Sequence, residues 1–495
     1  MQKRSLHNLS YIENTTFDPG EFIPIGLTEI VPGDSIQHKT SALLRALPLL
    51  APVLHEVEVI ITHSFIPHRL VWEDFEDFIT GGDDGLNASV LPTIDFSGSP
   101  VAKGDLAHYL GLPIGFNSTA SALPFRAYSL FWNDHIYDEE LQTELTIDYT
   151  SGADTTTNTT LQNVNWAKDR LTGSNANEQL GTAVSLSLSG SATLEGMAVN
   201  QTDSPGFTSV SVEDFSLGNT TYSTAFKDSS DNIYVRASGG SPDVSVDLSN
   251  VSAISVNELR EAIALQKFAE MRQIYGSTYE KLLKADFGVT PKDMRLNNTE
   301  ILARGRGFLQ FSEVLATAET GSTVDVGDMK GHGIAAVRSN KYRKFFPEYG
   351  YLMSFVAIRP KPQYSQGVPR HYLKTTKEDF FSPHLQNMGM DQVITNREVK
   401  HDHSTPGGTF AYEPTYNEYR SNTNCTKGEF NDTLDYWHMT RDLSGDPALN
   451  SSFITCSPTN RTFAQSATNN ILGMFKHNIA ARRLVKKSVK PVGLI

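Results

Sequence analysis

The sequence predicts a mainly β chain, and three observations carry that expectation. Short stretches alternate apolar and polar residues with a period of two, Pro- and Gly-rich connections separate them, and patterns of helical period are few. Val57, Val59, Ile61 and Phe65 alternate with Glu56, Glu58, Thr62 and Ser64, which reads as a strand with one face in a core and one face wet, ending at Pro67. Tyr349, Tyr351, Met353, Phe355 and Ala357 alternate with Leu352, Ser354, Val356 and Ile358, so both faces are largely apolar, as in a strand held between two packed layers. Pro360 and Pro362 close that strand, because proline has no N–H to give to a ladder. Strands set apart by long connections such as Ser365 to Pro369 and Ser404 to Gly408 suit an antiparallel two-sheet jelly roll whose loops carry much of the mass.

Three short helices are expected. Ser255 and Glu258 form a capping box before Leu259, Ala262, Ile263, Gln266, Ala269 and Ile274, a run that Gly276 breaks. Thr278 to Phe287 continues as a second helix with Gly288 after its end, and Trp72 to Ile79 is a third, ending at Gly81 and Gly82.

Composition divides the chain. Between about residue 151 and residue 255 it is dominated by Ser, Thr, Asn, Gly and Asp, with eleven acids against four bases. Val184 to Leu188 and Val244 to Leu248 alternate as short strands inside it. The expected organisation is one discontinuous core domain, 1–150 and 256–495, with 151–255 as an exposed insertion.

A formal net charge of -14 argues against a surface that binds nucleic acid all over, so any such contact must be local. The local candidates are Lys476, Arg482, Arg483, Lys486, Lys487 and Lys490, which have no acid among them and are read as a basic C-terminal tail over 476–495. Lys3 and Arg4 form a weaker group at the other end. A solvated tail that pairs with an acidic neighbour is the competing reading.

Signatures of other chemistry are missing. No Walker or dinucleotide loop, Gly-x-Ser-x-Gly elbow or His-Glu-x-x-His helix occurs, and Arg304-Gly305-Arg306-Gly307 has the spacing of neither phosphate loop and reads as a flexible turn. His401-Asp402-His403 reads as a solvated loop rather than a metal site, since adjacent loop positions point apart. No catalytic residue, cofactor or metal is therefore expected. Cys425 and Cys456 fit a reducing compartment, with a single bridge as the alternative. No secretory leader is expected, and the most apolar run, Leu43 to Leu54, is interrupted by Arg45, Pro48 and Pro52, so no membrane insertion is expected either.

Several stretches resemble the major capsid protein of the microviruses, in its gokushovirus-like branch. They are Glu29 to Asp34, Pro67 to Trp72, Leu123 to Tyr128 with Trp132 and Asn133, and Asn257 to Ala262. Phe287 to Val289, Glu348 to Tyr351, Asp379 to Pro383, Tyr416 to Arg420 and Leu434 to His438 follow in the same order. The matches leave 151–255 uncovered. The resemblance implies an eight-stranded capsid jelly roll that self-assembles into a T=1 icosahedral shell around a circular single-stranded DNA genome, with no enzymatic activity. It also implies that the insertion forms a threefold surface protrusion used in host attachment, and that the coat works with an internal scaffolding protein, a small basic DNA-binding protein and a pilot protein. The expected location is the virion, assembled in the bacterial cytoplasm. The alternative from a different class is a β-rich surface adhesion or carbohydrate-binding protein.

Overall fold

The computed structural model describes residues 4–82, 85–181, 193–195, 198–200, 210–214, 220–224, 245–247, 256–276, 279–288, 298–319, 325–465 and 468–487. The chain forms two compact units, Met1–Glu178 with Arg272–Ile495, and Gln179–Met271.

The first unit is built on a 10-stranded sheet. Its strands are β1 (Ser5–Asn8), β2 (Tyr11–Phe17), β3 (Phe22–Ile30), β4 (Ser35–Ala46), β5 (Val57–Pro67), β6 (Glu300–Leu315), β7 (Met329–Arg338), β8 (Tyr342–Phe345), β9 (Gly350–Pro360) and β10 (Ile471–Arg483). They are hydrogen-bonded in the order β1-β10-β4-β7-β6-β5-β9-β3, with β8 added to β4 and β2 added to β10. Every pairing is antiparallel.

Strands far apart on that path share one core. Ile23 and Ile25 of β3, Val57, Val59 and Ile61 of β5, Val356 and Ile358 of β9, Val337 of β7, Ala42 and Leu44 of β4 and Phe475 of β10 are all buried in a single cluster. The sheet therefore curls so that its two halves face each other across these side chains, the arrangement expected of a two-layer β fold. His38, His63 and His477 lie buried where that interior continues.

A second cluster covers the other side of β5, β9 and β3. The helix α3 (Leu123–His135) supplies Phe125, Tyr128, Phe131 and Trp132 to it, and Phe22, Met353, Phe355 and Ala357 face them from the sheet. Phe355 stacks on Phe22 at 4.7 Å and on Phe131 at 4.5 Å. β9 is thus buried on both faces, as its sequence predicts. β5 is too, which corrects the expectation of a wet face: Glu58, Thr62 and Ser64 are all buried. Two of these polar residues are paired inside the fold rather than solvated, Glu58 with Arg359 at 3.1 Å and Ser64 with the Glu300 carbonyl at 3.0 Å.

Of the expected helices, the first spans Val256–Tyr275 and the second Tyr279–Phe287, while Ser255 of the capping box lies outside the described residues. The third is shorter than expected, Phe75–Thr80, and ends at Gly81 with φ 88°. The 13-residue α3 has no counterpart in the expectations. Its polar row, Arg126, Ser129 and Asn133, does not face water: Arg126 and Ser129 are fully buried, and Arg126 pairs with the buried Asp154 at 2.8 Å, so the helix packs on more than its apolar side.

The compositional boundary at residue 151 is not where the units divide. Val164, Trp166 and Leu171 are buried, Trp166 donates its backbone N–H to the Ile454 carbonyl at 2.8 Å, and residues up to Glu178 belong to the first unit. In the second unit, Thr220–Thr224, Val210–Asp214 and Ala198–Asn200 form a three-stranded sheet, and Ser245–Asp247 pairs with Thr193–Glu195. The expected strand at 184–188 lies outside the described residues.

Candidate nucleic-acid interface

Where α3 and its neighbours cover β5, β9 and β3, the described residues of the first unit leave most of the outer side of the other half of the sheet exposed, with residues 103–114 standing against one end of it. Register fixes which residues share it. Lys476 of β10 lies opposite Ser41 of β4, which lies opposite Arg338 of β7, while Leu472 faces Arg45 and Arg45 faces Ile334. Lys39 sits beside Asn478, Arg482 beside Ser35, Arg343 beside Gln37, and Lys330 beside Val314. Arg304 and Arg306 continue the face along β6.

Side chains alternate across a strand, so these positions point one way while their neighbours fill the core. β7 shows the rule: Lys330, His332, Ile334, Ala336 and Arg338 are exposed, and Gly331, Gly333, Ala335 and Val337 are buried.

The face carries nine basic residues, Lys39, Arg45, Arg304, Arg306, Lys330, Arg338, Arg343, Lys476 and Arg482, and none of the positions sharing it in β4, β6, β7, β8 and β10 is Asp or Glu. In a chain with 56 acids and 42 bases that segregation makes one face a concentrated positive field. Among the described residues, Arg306 is the one of the nine with an ion pair, to Glu58 from the covered side. Between the cations lie exposed apolar residues, Leu472, Met474, Ile334 and Phe308. Alternating cations and apolar surface suit a polyanion whose bases are unpaired, because phosphates meet charge while base faces meet hydrocarbon or rings.

The sequence candidates fall partly on this face. Lys476 and Arg482 are on it and exposed, and Arg4 lies at its edge, its guanidinium 5.0 Å above the Phe345 ring. Lys486 and Lys487 are exposed just past the end of β10. Arg483 points the other way and forms an ion pair with the fully buried Asp34 at 2.9 Å, also donating to the Glu29 carbonyl. Lys3 and Lys490 lie outside the described residues.

Two expectations are corrected. The stretch from Lys476 to Arg483 is no tail but part of a strand paired with β1, β2 and β4. Arg304-Gly305-Arg306-Gly307 is no turn but the middle of β6, and its glycines are set by close approach of β7: a Cβ on Gly305 would stand 2.6 Å from the Ser339 Cα, and one on Gly307 would stand 2.6 Å from a Val337 methyl. The seven cations that sequence reasoning missed occupy the outward positions of alternating strands, but only pairing shows that five strands turn those positions the same way.

His401, Asp402 and His403 do not converge: Asp402 is 3.5 Å from Lys400, and His403 Nδ1 accepts from the Thr405 amide at 3.0 Å. Among the described residues no group of three His, Cys, Asp or Glu is arranged to hold a metal ion. Cys425 is exposed and Cys456 buried, both free, and burial pushes the Cys456 thiol up to about 12. No helix among the described residues is long and apolar enough to cross a membrane.

The fold is that of a mainly antiparallel β subunit, a curled sheet with one part of its outer side sealed by a helical layer and another part exposed and cationic. The profile of the phage family described as Capsid protein (F protein) matches residues 1–491 of this chain. The chain is also similar to Capsid protein VP1 of Bdellovibrio phage phiMH2K, 29% identical over 91% of this chain and 87% of the relative. It is 26% identical to Capsid protein VP1 of Chlamydia phage 1 over 93% and 91% of the two chains, and 28% identical to that of Spiroplasma virus 4 over 92% and 88%. The chain belongs to the phage capsid protein (F protein) family. It is a structural coat protein of the virion, not an enzyme, and it assembles into a capsid.

Proposed function

We propose that this coat protein closes a T=1 icosahedral shell around a circular single-stranded DNA genome, with the cationic face of β4, β6, β7, β8 and β10 turned inward. The observation that carries this reading is the set of nine basic positions without one acid on a face that the described residues of the first unit leave mostly exposed. Phosphate contact of this kind is independent of sequence and falls with salt, because bound cations displace counterions. Arg4, Lys476, Arg482, Lys486 and Lys487 contribute to it, together with Lys3 and Lys490; Arg483, committed to Asp34, serves the strand end instead. An internal scaffolding protein, a small basic DNA-binding protein and a pilot protein are the expected helpers, assembly takes place in the host cytoplasm, and the insertion within 151–255 serves host attachment.

The test is DNA binding by purified subunits across a salt series. Replacing Arg45, Arg338, Lys476 and Arg482 together by Gln removes four phosphate contacts and lowers the slope of log affinity against log salt by about 3, at about 0.7 per contact for a single strand. An unchanged slope refutes the inward cationic face. Deleting 182–255 leaves particle formation intact and abolishes adsorption to cells; particles that still adsorb would remove the attachment role.

A further inference from the structure

At one end of the cationic face a wall rises from the sheet. Residues 103–114, which include the short helix α2 (Leu106–Tyr109), stand against β2, β4 and β10 and enclose a cleft of about 580 Å³ with them. The floor is apolar: Leu43, Leu472 and Met474, with Ile114 from the wall. The last three are exposed by 42%, 41% and 60% respectively, so the subunit spends no core on them.

The wall is held in place before any ligand arrives. Tyr109 donates its hydroxyl to the Thr16 carbonyl at 2.8 Å, and the Asn469 amide donates to the same carbonyl at 2.9 Å and to the Tyr109 oxygen at 3.2 Å. His108 Nδ1 donates to the Leu112 carbonyl at 3.1 Å, which fixes the ring and leaves Nε2 outside that bond.

The charged side chains that line the cleft have one sign, with Asp18 and Glu21 acting on Tyr109 from outside the lining. Arg45 and Lys103 line it, no acid does, and neither cation has an ion pair among the described residues. Asn14 also lines it and makes no side-chain hydrogen bond there, so its amide offers both donors and an acceptor.

We infer that this cleft receives one unstacked base of single-stranded DNA lying on the cationic face, with its phosphate held by Arg45 and Lys103. The inference rests on the proposed genome-facing role of that face and adds a site to it. A base is flat and apolar on its faces and polar at its edges, and the cleft pairs a hydrocarbon floor with amides and an imidazole at the rim. Its volume falls within the usual range for small-ligand pockets, about 300–1,000 Å³. The cleft also opens onto the row Leu472, Arg45 and Ile334, so a strand bound along the face can reach it.

The experiment compares binding of the purified full chain to a short thymidine oligonucleotide and to an abasic oligonucleotide of the same length, which carries the same phosphates and no bases. The expected result is roughly tenfold tighter binding of the thymidine strand, the lower part of the range for a base sheltered by side chains. The double variant Leu472→Ala, Met474→Ala should lose most of that preference while its affinity for the abasic strand stays the same, since no charge is touched. An iodouridine oligonucleotide should photocrosslink within residues 103–114, Tyr109 among them, in the unaltered chain. Equal binding of the two strands by the unaltered chain, or crosslinks mapped away from the cleft, overturns the inference while leaving the cationic face in place. Crosslinking of a coat-partner peptide in the cleft instead of DNA overturns it equally. If neither oligonucleotide binds, the genome-facing reading fails first and this one with it.

Discussion

Three histidines make the subunit's interior sensitive to acid. His38 Nε2 and His477 Nδ1 lie 3.3 Å apart, His38 Nδ1 meets the Tyr342 hydroxyl at 3.0 Å, and His477 Nε2 donates to the Ile25 carbonyl at 2.7 Å. The His63 ring lies 4.4 Å from the His38 ring, and its Nδ1 meets the Ser354 hydroxyl at 2.8 Å. Burial, with like charge between the rings as a further cause, lowers His38 to about 3 and holds His63 well below its ordinary value, while burial alone lowers His477 to about 4. The unfolded chain protonates near pH 6.5, so these groups contribute stability that is complete above that pH and lost as pH falls toward 4 and below. Glu13, raised by burial to about 7, and Glu21, also raised by burial, act in the opposite sense over this range, while His55 and His68, each lowered by burial to about 4, and His438, lowered chiefly by burial, act with the three. The thermal midpoint of the subunit should therefore drop between pH 7 and pH 5. His477→Gln, which keeps a donor for Ile25 and cannot be protonated, should flatten that drop; an unchanged pH profile would show that the cluster does not carry it.

At the scale of elements, β10 decides whether the end of the chain is ornament or structure. It is hydrogen-bonded along its length to β4 on one side and to β1 and β2 on the other, and it supplies Ile471, Phe475 and Ile479 to the buried clusters. Truncation after Asn470 should yield insoluble or unfolded protein, because it removes the strand that joins β1 and β2 to the sheet. Truncation after Lys487 should keep the circular-dichroism spectrum and melting temperature of the full chain and weaken only DNA binding. The glycines of β6 belong to the same scale. Gly307→Val meets Val337 across the ladder and should cost about 1–3 kcal/mol, the usual penalty for overfilling a packed contact, read as a lower denaturation midpoint.

For the whole molecule, much apolar surface is left without a partner inside one subunit. Tyr372 is 74% exposed, Phe380 60% and Tyr419 55%, and Lys374 lies 5.4 Å from the Phe380 ring and 4.4 Å from the Tyr419 ring. A lone soluble protein seldom keeps a cluster of large aromatics in water, whereas a coat subunit covers such surface with identical neighbours. Tyr372→Ser with Phe380→Ser should leave the subunit's melting temperature within about 1 °C, as surface changes do, and reduce the yield of closed particles in sedimentation. Particles at full yield would place the contacts between copies elsewhere.

What the sequence determined by itself is what depends on near neighbours along the chain. The period of two marked β5 and β9, the glycines ended the helices near 276 and 288, and collinear short matches placed the chain among phage capsid proteins. The tertiary structure alone decided the rest, since it turns on residues far apart in sequence. Whether Glu58 meets water depends on Arg359, some 300 positions away, and whether Trp166 is buried depends on Ile454. Lys39, Arg304, Arg338 and Lys476 become one surface only when antiparallel register turns alternate side chains of separate strands to the same side. A local pattern fixes how a strand alternates, but which face stays open is set by what the remaining chain packs against the other one.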